Sequence, residues 1–192
     1  MLLKFMFIDF INSHWHDWHG TGRQEDRMLK PEWWERFFAN WGIEIDQSLD
    51  PITHAKLIRL RDLLRVMVEK LTEKQPISDS NLAKLNEFLA VTPCITSVLR
   101  IEDGYELLDV PQRRDWNWII REISLSFCKY LVSQDQRRIR ICENKDCLWV
   151  FFDESRNRTR RWCDDSMCGN LLKVRRHRAR NRMSQECNDH IE

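Results

Sequence analysis

Most apolar positions of this chain repeat with the period of a helix. The longest stripe recurs at spacings of three and four over residues 57–71 and predicts a helix of about 20 residues. Asp50-Pro51 precedes it as an N-cap with proline at the first helical position. Further helices are predicted from Pro31 to Trp41, over about 79–89, and from Asp115 to about Ser133.

Two segments depart from this period. Between Ile95 and Val110 two apolar runs flank Asp103-Gly104, which is typical of a β-hairpin. The apolar segment 4–12 is too short for its period to distinguish a buried strand from the start of a helix. The pattern predicts an α+β protein: a mainly α-helical body over 1–135 with one β-hairpin, followed by a small C-terminal module over 139–183.

Charge separates these two parts. The chain has 192 residues, of which 42% are hydrophobic and 32% charged, as in folded globular proteins. Residues 1–136 hold 17 Lys and Arg against 21 Asp and Glu, whereas residues 137–182 hold 14 against 6. A basic block behind an acidic body predicts a module that faces a polyanion. The alternative is a basic surface helix that is merely solvated or pairs with acidic residues of the body.

The expected role of the cysteines depends on whether the protein is in a reducing or an oxidising compartment. No secretory signal is visible, because Asp9 interrupts the apolar start and no small-residue cleavage site follows. No apolar run reaches the roughly 18 residues that span a membrane. We therefore expect a cytoplasmic protein without membrane contact, whose clustered cysteines are reduced and bind a metal.

Four cysteines form two pairs with equal internal spacing. Cys142 and Cys147 are separated by four residues, as are Cys163 and Cys168, and fifteen residues lie between the pairs. Two such turns supply four sulfurs to one tetrahedral Zn²⁺, so the sequence predicts a structural zinc site. Residues 148–152 are a predicted strand, and 158–162 are expected to return as its partner. A module of about 45 residues has a small core, so the metal should contribute much of its folding free energy, on the order of 10 kcal/mol.

A cationic helix follows the last cysteine. Its many arginines predict a phosphate-binding surface, because one planar guanidinium can donate two parallel hydrogen bonds to a phosphate group. A nucleic acid, DNA in the first place, is therefore the expected partner. The predicted contact residues are Arg156, Arg158, Arg160, Arg161, Lys173, Arg175, Arg176, Arg178, Arg180 and Arg182.

These residues are similar to a known family. The cysteine pattern followed by Gly169-Asn170, together with Arg160-Arg161-Trp162-Cys163, resembles the CGNR zinc finger, although Leu171 stands where the family name has Arg. Residues 7–13 resemble the opening of the ABATE domain that precedes this finger. The resemblance implies a stress-induced transcription regulator that binds DNA.

A loop rich in His and Trp leaves other functions open. His14, Trp15, His16, Trp18 and His19 are interpreted as lining a ligand pocket for a small-molecule effector, with packing in the core as the alternative. A metalloenzyme using these histidines is disfavoured, because their spacing does not fit the His-Glu-x-x-His motif and four cysteines leave no open zinc position. We expect no enzymatic activity. The alternative function is a zinc-stabilised adaptor whose basic helix binds an acidic protein or RNA. A homodimer through the body is a further hypothesis, because a lone finger reads few base pairs.

Overall fold

The computed structural model describes residues 5–45, 47–133 and 135–188, with side chains up to residue 182. Within these residues, three antiparallel two-stranded sheets accompany the helices, which confirms the predicted α+β fold class. The helices are α1 (Met6–Ile11), α2 (Pro31–Trp41), α3 (Pro51–Thr72), α4 (Asp79–Leu89), α5 (Trp116–Ser133) and α6 (Asn170–Asn188). The strands are β1 (His14–His16), β2 (Gln24–Asp26), β3 (Cys94–Ile101), β4 (Gly104–Pro111), β5 (Ile139–Ile141) and β6 (Val150–Phe152).

Local capping explains the helix boundaries that the sequence predicts. The Asp50 side chain accepts hydrogen bonds from the Ile52 and Thr53 N–H groups, which have no partner inside α3. Gly42 ends α2 in the left-handed conformation, with φ of 61°. Since each interaction lies within four residues, it is readable from the sequence. Among the described residues, no helix is long and apolar enough to cross a membrane.

The main core lies where α1, α3 and α5 meet. α1 is the segment whose period was ambiguous, and it is buried around its whole circumference. The ring of Phe7 packs edge-on against Phe127 of α5, with centroids 5.1 Å apart. Ile139 and Val150, from the C-terminal module, are buried in this same core. The two parts of the chain therefore share one hydrophobic core.

The predicted hairpin of the module has a different partner strand. β6 pairs antiparallel with β5, which precedes the first cysteine, and residues 158–162 are not a strand. The buried Asp153 carboxylate explains this, because it accepts from the Ser155 and Arg160 N–H groups and closes the intervening segment into an irregular loop. The backbone carbonyl of Arg158, in this loop, accepts from the Arg140 guanidinium at 2.6 Å.

Candidate metal centre and basic helix

Four sulfur atoms converge in the C-terminal module. The Sγ atoms of Cys142, Cys147, Cys163 and Cys168 all lie within 4.8 Å of one another. Two of the edges measure 3.6 Å (Cys147–Cys163) and 3.9 Å (Cys163–Cys168). A tetrahedral ion with Zn–S bonds of about 2.3 Å requires edges of about 3.8 Å, whereas a disulfide would need about 2.05 Å. The donor set and its spacing fit a tetrahedral metal ion.

The pKa values of the clustered thiols also support a bound cation. The thiols of Cys147 and Cys163 donate toward Cys142 and lower its pKa. Hydrogen bonds with Cys142 and Cys147, together with burial, raise the pKa of Cys163. Four thiolates this close repel one another, so a cation at their centre is needed to hold all four deprotonated.

Each cysteine pair is positioned by its own turn. In the first turn, the Cys142 N–H donates to the Trp149 carbonyl and the Cys147 N–H donates to the Asn144 carbonyl, both at 2.9 Å. In the second turn, Asp164 accepts from the Met167 N–H. A short π-helical turn over Asp165–Gly169 then carries Cys168 to the start of α6. The metal site therefore sets where the basic helix begins.

Asn144 joins the metal centre to the body, a role that sequence reasoning missed. Its side chain is 1% exposed. The amide Nδ2 donates to the Trp18 carbonyl (2.8 Å) and lies 3.5 Å from Cys168 Sγ. The only sequence signal for this role is the position of Asn144 between the first two ligands.

A small aromatic cluster covers the sulfurs. It consists of the buried Phe151 with Trp149 and Trp162, and it also includes Trp18 from the body. Phe152, the next residue, packs instead in the main core, 5.2 Å from the Phe5 ring. The reason is strand alternation, since Phe151 and Phe152 point to opposite faces of β6.

The basic helix α6 leaves the metal centre and enters solvent. Every described side chain from residue 173 to residue 182 is exposed. Arg175 is bound at the base of the helix, where its guanidinium pairs with Asp146 (2.8 Å) and donates to the His19 carbonyl (2.6 Å). The cations of Lys173 and Arg176 each lie 5.9 Å from the Trp162 ring.

The arginines of the preceding loop are mostly engaged in contacts within the protein. Arg158 pairs with Asp135 at 2.5 Å and Arg161 pairs with Glu143. Arg160 donates to the backbone carbonyls of Trp162 and Cys163. Arg156 is exposed. The structure therefore separates the predicted contact set into arginines that hold the module together and cations that point outward.

The residues of the His/Trp loop are not gathered around one cavity. His14 and His19 are exposed, and the His14 and His16 rings lie 4.5 Å apart on β1. Trp15 faces the Arg27 guanidinium, and Trp18 belongs to the aromatic cluster. A cavity of about 170 Å³ is bordered by His16. The effector pocket stays a prediction.

A larger cavity lies elsewhere in the body. Its volume is about 700 Å³, and Trp34, Phe38 and Trp116 contribute aromatic walls. The N–H groups of both indoles are already used, since they donate to backbone carbonyls. This cavity is lined by residues of α2, α3 and α5 and lies apart from the His/Trp loop.

Two known families match the two parts of this chain. Residues 138–181 match the model described as the CGNR zinc finger. Residues 6–116 match the ABATE model, described as "Putative stress-induced transcription regulator". No curated protein matches the chain. Because the ABATE model covers more than half of the chain and the finger follows in the expected order, the protein belongs to the ABATE-domain family and carries a C-terminal CGNR zinc finger.

Proposed function

We propose that this protein is a zinc-dependent DNA-binding transcription regulator that contacts phosphates through α6. The observation that carries this proposal is the exposure of the helix on all sides over residues 173–182, of which eight are cationic or polar. A helix that is polar around its whole circumference lacks the buried apolar face that normally stabilises helices in proteins.

Repulsion within α6 strengthens the argument. Arg176 and Arg180 are four residues apart, as are Arg178 and Arg182, and like charges at this spacing destabilise a helix. A partner that supplies a line of negative charge would remove this repulsion. Duplex DNA does so, with one phosphate charge per roughly 1.7 Å of its axis.

The outward cations form the proposed contact surface. Arg178 and Arg182 lie beyond the point where Arg175 anchors the helix, and they make no ion pair with the described part of the chain. Lys173, Arg176 and Arg156 are exposed on the same module. Arg158, Arg160 and Arg161 contribute mainly by holding the loop, so their substitution would act on folding as well as on binding.

The metal role we propose is structural. Zn²⁺ held by the four cysteines would supply a cross-link between the two turns and the start of α6. Four sulfurs complete the tetrahedron and leave no position for a water nucleophile. We therefore propose no catalytic activity at this site.

The test is binding of the zinc-loaded protein to random duplex DNA at several salt concentrations. We expect the double substitution Arg178→Ala with Arg182→Ala to weaken binding and to reduce the slope of log K against log salt by about 2, since each phosphate contact contributes about 0.9. The matched control is Arg59→Ala with Arg113→Ala, which removes two exposed cations from the body. Equal effects of the two pairs would refute the assignment to α6.

The adaptor function predicts a different result in the same assay. If the wild-type protein fails to bind duplex DNA at low salt but binds single-stranded RNA or an acidic polypeptide, the basic helix serves that partner instead. A small-molecule effector is a separate hypothesis, and the cavity beside Trp34 and Trp116 is the place to seek it.

A further inference from the structure

The β3–β4 hairpin exposes an unusual amount of apolar surface. Its strands pair without a bulge over eight residue pairs, from Cys94↔Pro111 to Ile101↔Gly104. Eight large apolar side chains on it are between 42% and 71% exposed. They are Ile95, Val98, Leu99, Ile101, Tyr105, Leu107, Leu108 and Val110.

Neighbouring residues of a strand point to opposite faces, so these side chains divide between two surfaces: Val98, Tyr105 and Leu107 lie on one face and the other five on the opposite face. At roughly 100 Å² for each side chain, the larger face presents an apolar area of the order of 500 Å², and patches of this size are often functional. In the described part of the chain, no helix packs extensively on the hairpin. A two-stranded hairpin is marginally stable alone, whereas three or more strands form a stable sheet. Additional strands would therefore stabilise the hairpin.

The two edges of the hairpin differ in what they would accept. β4 carries Glu106 and Asp109 and ends in Pro111, which are features that block edge pairing. β3 has one charged residue, Arg100, and no proline. The β3 edge is thus the open side of the sheet.

The sequence of β3 is complementary to itself. A twofold axis through Val98 would pair two β3 strands antiparallel, with Val98 opposite Val98 of the second copy and Ile95 opposite its Ile101. Arg100 would then face Thr96, so no like charges oppose each other. This symmetric, self-complementary contact is what a twofold homodimer requires.

The charge of the hairpin tip argues against DNA or an anionic membrane as the partner that covers this surface. Glu102 and Asp103 form the tip of the hairpin, and Glu106 lies beside them on β4. DNA and anionic lipid surfaces are both negatively charged and would be repelled by this tip.

We propose that the β3–β4 hairpin is a homodimerisation arm, in which the β3 strands of two copies pair about a twofold axis through Val98 and form a four-stranded sheet. The proposal is independent of the proposed function, because dimerisation is measured without DNA.

The test is the mass of the full-length, metal-loaded protein in sedimentation equilibrium. Wild type should show twice the chain mass of 23.4 kDa. Val98→Lys would place two like charges on the axis and should yield monomer. Leu107→Lys is the matched control: Leu107 is the partner of Val98 inside the hairpin, so the same charge lies on the outer strand and the dimer should persist.

A charge exchange separates loss of the interface from loss of folding. Val98→Glu alone should also be monomeric, and mixing it with Val98→Lys should restore a dimer containing one chain of each. A monomeric wild-type protein, a dimeric Val98→Lys variant, or a mixture that stays monomeric would each overturn the proposal.

Discussion

A single buried asparagine tests whether the body and the metal-binding module form one cooperative structure. Asn12, at the end of α1, is 3% exposed. Its Nδ2 donates to the Val150 carbonyl (2.8 Å), and the Val150 N–H donates to its Oδ1 (2.9 Å). Asn12→Ala removes both hydrogen bonds and leaves two buried backbone groups of β6 without partners. At about 1–3 kcal/mol for each of the two groups, the free energy of unfolding should fall by about 2–6 kcal/mol.

The assay is urea unfolding of the metal-loaded protein, followed by circular dichroism for the helices and by tryptophan fluorescence. Because Ile139 and Val150 belong to the main core, the two signals should change together in one transition. The control is Asn86→Ala on the exposed side of α4, which should change the stability by less than about 0.5 kcal/mol. A loss below about 1 kcal/mol for Asn12→Ala, or two separate transitions in the wild type, would refute the reasoning.

Two further predictions concern the metal and pH. Cys163→Ser should abolish stoichiometric metal binding measured by elemental analysis, whereas Cys94→Ser, outside the cluster, should retain one ion per chain; unchanged metal content in the first variant would contradict the four-ligand site. Burial raises the pKa of Asp9 above its ordinary value of 3.8, despite the hydrogen bond from Trp41 and the charge of Arg36. The folded carboxyl thus holds its proton to higher pH than the unfolded one, so its stabilising contribution is present below about pH 3.8 and is lost as pH rises through the folded-state pKa. In urea unfolding at several pH values, Asp9→Asn should lack this decrease in the free energy of unfolding. Identical pH profiles of the variant and the wild type would show that Asp9 does not cause the decrease.

The metal centre was predictable because its ligands are close in sequence and chemically distinctive. Each pair of cysteines lies on one turn, so the local spacing fixes how its two sulfurs are presented. Only the approach of the two turns to each other depends on the tertiary structure. The roles of Asn144 and Trp18 were not predictable, because they depend on a contact between residues 126 positions apart. The sequence likewise places the predicted contact arginines in one basic segment, but only the structure distinguishes Arg160, which binds backbone carbonyls, from Arg178, which is exposed.

The sequence by itself determined those elements whose causes lie within a few residues. Capping by Asp50 and Asp115, the end of α2 at Gly42, the β3–β4 hairpin and the cysteine pairs all depend on local hydrogen bonds, backbone conformation or spacing. The tertiary structure decided the rest: the helical form of residues 6–11, the pairing of β6 with β5, and the docking of the module on the body. In these cases burial among distant partners outweighs weak local preferences, because packing free energies sum over many contacts while propensities differ by less than about 1 kcal/mol per residue.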